Sequence, residues 1–147
     1  MKQRIAFSIL IALSISFGAY SQNNADDIVG VWLTGGKEPA KIQIYKSGEK
    51  FYGKIIWLKN PAENGMQRMD GNNPDKVKRS NPIIGLLVLT GFKFDGDDEW
   101  KGGDIYDPES GKTYSSYMYL TNMNTLKVRG YVGISLLGRT ETWTRTN

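Results

Sequence analysis

From residue 29 onward, apolar and polar residues alternate with a period of two. That is the spacing of strands with one buried face, not the 3.6 of a helix. The segment A-K-I-Q-I-Y-K at 40–46 sets Ile42 and Ile44 on one face and Lys41 and Gln43 on the other. The same rhythm predicts strands at 29–34, 50–58, 85–94, 99–106, 113–120, 125–132 and 138–145. Short polar groups punctuate them: Ser47-Gly48-Glu49, Asp95-Gly96-Asp97, Asp107-Pro108-Glu109-Ser110-Gly111 and Asn122-Met123-Asn124. Their Gly, Asn, Asp and Pro residues suit tight turns. In the strand at 85–94, Leu86, Val88, Phe92 and Phe94 share one face while Leu87 and Leu89 take the other, which predicts partial cover on both sides. Gly102-Gly103 interrupts the fifth strand and predicts a bulge or a close backbone approach.

No segment of 22–147 carries a sustained helical stripe, so the class is all-β. Eight short strands joined by tight turns form a meander with two exposed edges unless it closes. The expectation is an eight-stranded antiparallel up-and-down β-barrel, with a two-sheet sandwich as the alternative. An interior of this size is filled by side chains or holds one small ligand. The segment at 59–82 breaks the pattern. Rich in Asn, Asp, Lys and Pro, it is long for a loop and is expected to be an excursion, a flap or a hidden helical turn. Residues 22–28 are polar and expected to be a flexible N-terminus before a single barrel domain at 29–147.

Residues 1–21 read differently. Lys2 and Arg4 precede an apolar stretch from Ile5 to Ala19, and Ala19 and Ser21 sit at −3 and −1 to a cut before Gln22. This is the layout of a cleavable signal peptide, and the apolar stretch is short for a bilayer span. The expected destination is the periplasm or the exterior, with no transmembrane segment in the mature chain. The formal charge of +4 halves when Lys2 and Arg4 leave, too little to argue for nucleic acid. The chain has no Cys and no His, which excludes a disulfide framework, a Cys nucleophile, a His base and a zinc site of ordinary ligand type. No cofactor or metal is expected.

Candidate chemistry is therefore sparse. Trp32, Trp57, Trp100 and Trp143 fall on four different strands and suit either core plugs or the walls of an apolar pocket. The candidate ligand-binding residues are Trp57, Phe92, Trp100, Tyr114 and Arg79. Acidic residues crowd 95–107, but Asp95, Asp97, Asp98 and Asp107 sit in or beside turns, where carboxylates cap backbone N–H groups. The stretch from Asp70 lacks the ligand spacing of a calcium loop.

Several motifs along the chain resemble one family. They are Gly30-x-Trp32, Gly53-Lys54-Ile55-x-Trp57-Leu58, Asp70, Asn73-Pro74-Asp75, Arg79, Pro82-x-x-Gly85, Trp100-x-Gly102-Gly103, Asp107-Pro108-x-x-Gly111, Leu126-x-Val128-Arg129-Gly130 and Trp143-x-Arg145. The chain resembles the secreted bacterial family known as domain of unknown function 2147. The resemblance implies a lipocalin-like barrel and no established activity. It further implies that Gly30-Val31-Trp32 is the lipocalin G-x-W motif, with Arg145 packed across Trp32 as a structural plug at one barrel end. The leading functional expectation is binding of a small apolar or amphipathic ligand in the cell envelope, with the 59–82 loop over the open end. The alternatives are a solid-cored barrel that docks a protein partner through that loop, and a carboxylate-dependent hydrolase using Asp70, Asp75 or Asp104.

Overall fold

A computed structural model describes residues 23–147; the signal-peptide expectation lies outside them. The described chain forms ten strands: β1 (Gly30–Leu33), β2 (Ala40–Ser47), β3 (Lys50–Leu58), β4 (Ala62–Glu63), β5 (Met66–Gln67), β6 (Leu87–Phe94), β7 (Glu99–Asp107), β8 (Lys112–Asn122), β9 (Thr125–Tyr131) and β10 (Gly138–Thr146). Eight of them close into one antiparallel barrel in the order β1-β10-β9-β8-β7-β6-β3-β2. β1 pairs with β2 on one side and β10 on the other, with Trp32 opposite both Ile42 and Arg145. Closure leaves no unpaired edge, which is what a small all-β chain needs.

Inward positions follow the alternation. Ile42 and Ile44 of β2, Phe51 and Ile55 of β3, Met118 of β8, Leu126 and Val128 of β9 and Trp143 of β10 are all buried. Three irregularities change which way side chains face. In the β2–β3 pairing, Ile42 lies opposite Ile55 and Lys41 opposite Trp57, so one extra residue is accommodated on β3. The bulge flips the parity, turning Leu58 inward and Trp57 out. In β6, Leu89 and Phe92 are both fully buried, and Gly91 between them takes φ +77°. Leu87, on the face expected to share cover with Leu89, is exposed. In β7 the pairing shifts between Trp100 and Gly103, with Gly102 at φ +71°. A Cβ on Gly103 would run into the Phe92 ring, so the double glycine is both a bulge and a close approach.

Two segments carry more local structure than alternation could show. Within the N-terminal stretch, Ala25–Ile28 is a short 3-10 helix, begun by a reciprocal bond pair between Asn24 and Asp27. Its Ile28 is fully buried, because an apolar side chain beneath an open barrel end gains by plugging it. The 59–82 segment hides a helical turn, one of the three forms expected of it. It contains the β4–β5 hairpin and a second 3-10 helix, Lys76–Ser80, and Met69 bridges Pro82 at its root.

Candidate functional site

The two barrel ends differ. At one end the N-terminal 3-10 helix forms a base. Trp32 Nε1 donates to the Ile28 carbonyl at 2.9 Å, and Trp100 Nε1 donates to the Ala25 carbonyl at 3.0 Å. The Arg145 guanidinium lies 4.2 Å from the centre of the Trp32 ring. It donates to the carbonyls of Met123, Val29 and Asp27 at 2.6, 2.9 and 2.6 Å. Burial pulls the Arg145 pKa below its ordinary value, and the charge of Asp27 partly opposes that. Phe51, Phe94 and Trp100 complete the base, with the Phe94 ring 4.8 Å and the Phe51 ring 6.5 Å from Trp100.

The other end is open. A cavity of about 1030 Å³ is bounded deep inside by Ile42, Ile55, Val128 and Trp143 and nearer the mouth by Ile105, Tyr114 and Gly130. Its rim comes from the β1–β2 loop (Lys37, Glu38), Arg68 and Ile83 of the β3–β6 connection, the β7–β8 turn at Asp107 and Pro108, and Val132, Leu137 and Arg139 of the β9–β10 loop. Pockets for small organic ligands occupy about 300–1,000 Å³, so the interior has room for one such molecule.

One strand supplies a polar track down this cavity. β10 places Glu141 opposite Val128 and Trp143 opposite Leu126, so Arg139, Glu141 and Trp143 share the inward face. Trp143 Nε1 donates to Glu141 Oε2 at 3.2 Å, and Arg139 Nη2 meets Glu141 Oε1 at 2.7 Å. The carboxylate thus links a deep indole to a guanidinium at the mouth. A carboxylate inside a barrel is sustained by such partners. What it can do chemically is receive a donor from a polar ligand head while the aliphatic walls hold an apolar tail.

The 59–82 segment reaches the cavity through Arg68. Asp70 is fully buried. Its Oδ1 accepts from the Tyr106 hydroxyl and its Oδ2 from Asn73 Nδ2, each at 2.7 Å. Burial, then the bond to Asp70, pushes the Tyr106 pKa up to about 12, so the phenol stays a neutral donor. Arg79 Nε donates to the Asn73 carbonyl at 2.7 Å, Asp75 accepts from Val77 N at 3.0 Å and caps the second 3-10 helix, and Asn72 donates to the Glu109 carbonyl at 2.7 Å. The motif residues Asp70, Asn73, Asp75 and Arg79 therefore form one latch against β7 and the β7–β8 turn. In that turn Asp107 accepts from Glu109 N at 3.0 Å and from the Ser110 hydroxyl at 2.7 Å, shaping Asp107-Pro108-x-x-Gly111.

Of the five candidate ligand-binding residues, only Tyr114 borders the cavity. Trp57 lies outside, 41% exposed, with Lys41 Nζ 5.8 Å from its ring centre. Trp100 belongs to the sealed base, Phe92 is buried behind Gly103, and Arg79 belongs to the latch. Glu141, Ile42, Ile55 and Val128 were not singled out as a site by the sequence, and Trp143 entered only as one of four tryptophans suited to plugs or pocket walls. Their signal was the alternation itself, which marks them as inward but not as bordering a void. The three hydrolase carboxylates are not assembled as a pair: both Asp70 oxygens are engaged, Asp75 caps a helix and Asp104 is exposed on β7. Among the described residues, no group of three His, Cys, Asp or Glu is placed to hold a metal.

The fold has a solved counterpart. Protein HP1028 from Helicobacter pylori, described as belonging to the lipocalin family, superposes with a TM-score of 0.73 over 81% of this chain and 82% of its own, at 22% identity. At that identity the likeness concerns the fold alone. Among curated proteins there is no match. The family model described as an uncharacterized protein conserved in bacteria, DUF2147, matches residues 30–145, spanning the whole barrel from Gly30 to Arg145. The chain belongs to the DUF2147 family, and its architecture is a lipocalin-like barrel.

Proposed function

We propose that this protein binds one small amphipathic molecule in its open-ended cavity, and that it does so in the cell envelope after export. The observation that carries the reading is the cavity of about 1030 Å³ above a sealed base, with aliphatic walls and a Glu141–Arg139 pair toward the mouth. The apolar part of such a molecule would displace weakly held water from Ile42, Ile55, Val128 and Trp143. Its polar part would meet Glu141, Arg139 and Tyr114. Export rests on the signal-peptide layout of residues 1–21. Among the described residues no helix is long and apolar enough to cross a membrane.

Native mass spectrometry of protein from an exporting host tests this reading. The expected spectrum holds a population heavier by one small molecule, which organic extraction releases and which carries an apolar chain or ring system. A spectrum of the bare chain alone, unchanged after incubation with long-chain fatty acids, lysophospholipids and apolar dyes, would overturn it. In that case the solid-barrel, protein-docking reading would gain.

A further inference from the structure

The β9–β10 loop holds an unusual set of side chains. Val132, Ile134, Leu136 and Leu137 are 64, 58, 84 and 70% exposed. Four aliphatic side chains within six positions form an apolar patch that a soluble surface does not need. The patch adjoins the cavity, because Val132 and Leu137 also stand on its rim.

The backbone beneath these side chains has its own bonds. The carbonyls of Val132, Ile134 and Leu137 accept from Ile134 N, Leu137 N and Val132 N at 2.9, 3.0 and 3.4 Å. Arg129, on the outer face of β9, takes the next two: its Nε donates to the Ser135 carbonyl at 2.7 Å and its Nη2 reaches the Leu136 carbonyl at 3.5 Å. Its Nη1 is anchored on the Thr140 hydroxyl at 2.9 Å. Five of the six carbonyls at 132–137 are thus bonded inside the protein, which lowers the cost of moving the loop out of water. Its remaining N–H groups suit the hydrated headgroup region, with only the side chains reaching the acyl boundary.

Charge is arranged along the same axis. The turn at the sealed base carries Asp95, Asp97 and Asp98, whereas the connection beside the mouth carries Lys76, Lys78 and Arg79 around an 83% exposed Val77. An anionic surface would attract this basic connection, whereas at the base Lys101 pairs with Asp95 and Glu99 at 3.1 and 2.7 Å.

We infer that the open end docks on an anionic lipid bilayer, with the side chains of Ile134, Leu136 and Leu137 inserted at the headgroup–acyl boundary. The cavity mouth then faces the membrane, and an amphipathic molecule passes between bilayer and barrel without crossing water. The passage rests on the cavity reading above; the docking does not.

The chain has no Cys, so a single introduced thiol carries a dye at one known place. Leu136→Cys and, at the base, Asp97→Cys are labelled with an environment-sensitive nitrobenzoxadiazole. Each is mixed with vesicles of phosphatidylethanolamine and phosphatidylglycerol, or of phosphatidylcholine alone. The expected result is a blue shift and brightening at position 136 with the anionic vesicles, weaker with the neutral ones, and none at position 97. Adding Ile134→Asn to the Leu136→Cys chain should weaken the vesicle affinity by roughly tenfold, the loss of one buried aliphatic side chain. No response at position 136, or an equal response at position 97, overturns the inference. So does a response at 136 that grows with protein concentration in the absence of lipid, which would assign the loop to a second copy of the chain. A chain that takes an apolar dye into its cavity yet gives no signal at 136 overturns docking and leaves the cavity reading standing. The reverse result does the opposite.

Discussion

Gly30 shows how narrowly one residue can be defined. Its φ is +145°, and a Cβ there would lie 2.5 Å from Arg145 Nη1. Any side chain would therefore push the guanidinium from Trp32 and from the carbonyls it serves. Gly30→Ala should cost about 2–3 kcal/mol, combining backbone strain with lost charge-assisted bonds. Urea unfolding followed by circular dichroism would measure this, and an unchanged midpoint would show that the plug tolerates displacement. Asp95 gives a pH test. Its Oδ1 accepts from the backbone N–H groups of Asp97, Asp98 and Glu99; the bond from Asp97 first, then that from Glu99 and the neighbouring Lys101 ammonium, lower its pKa from 3.8 to about 2 against the opposing effect of burial. The folded chain therefore holds fewer protons than the unfolded chain between those values. The stabilisation is full above about pH 4 and falls as pH drops toward 2. Asp95→Asn keeps an acceptor oxygen but removes the titration, so its melting temperature should depend less steeply on pH across that window than the parent's.

Among the elements, the latch between the 59–82 segment and β7 is the part most open to test. Tyr106→Phe removes the donor to Asp70 Oδ1 and leaves a fully buried carboxylate oxygen without it. The expected cost is about 1–3 kcal/mol, felt first as opening of the segment rather than global unfolding. Limited proteolysis should cut faster between Glu63 and Arg79 while the barrel survives; an unchanged cleavage rate would contradict the latch. All eight barrel strands were legible, because each alternates over several residues and ends in a turn whose residues have a mechanical reason to be there. What alternation could not show was a parity change inside a strand. Trp57 follows Phe51, Gly53 and Ile55 in step and reads as inward, but the bulge opposite Lys41 and Ile42 turns it out. The N-terminal 3-10 helix escaped for a different reason. A four-residue element has no period, and only Ile28 among polar neighbours hinted that the segment had something to bury.

At the scale of the whole molecule, what the sequence withheld was depth along the barrel axis. Trp100 and Trp143 are both inward and both buried, yet the first seals the base and the second borders the cavity. The difference comes from which neighbours are large. Phe51, Phe92 and Phe94 fill the lower half, whereas Ala40, Val128 and Gly130 leave the upper half open. The polar track along β10 was equally hidden, since Arg139 and Glu141 read alone as ordinary surface charges. The hollow upper half, sealed below and open above, is the feature on which the ligand reading depends.

The most direct measurement is a fluorescence titration with N-phenyl-1-naphthylamine, run on the parent chain and on Val128→Phe, whose added ring would project into the cavity. A hollow barrel predicts saturable dye enhancement in the parent, its loss in the variant, and a melting temperature for the variant no lower than the parent's, because the ring enters empty space. A solid barrel predicts no enhancement in either and a destabilised variant, overpacked by about 1–3 kcal/mol; that pair of results would contradict the account.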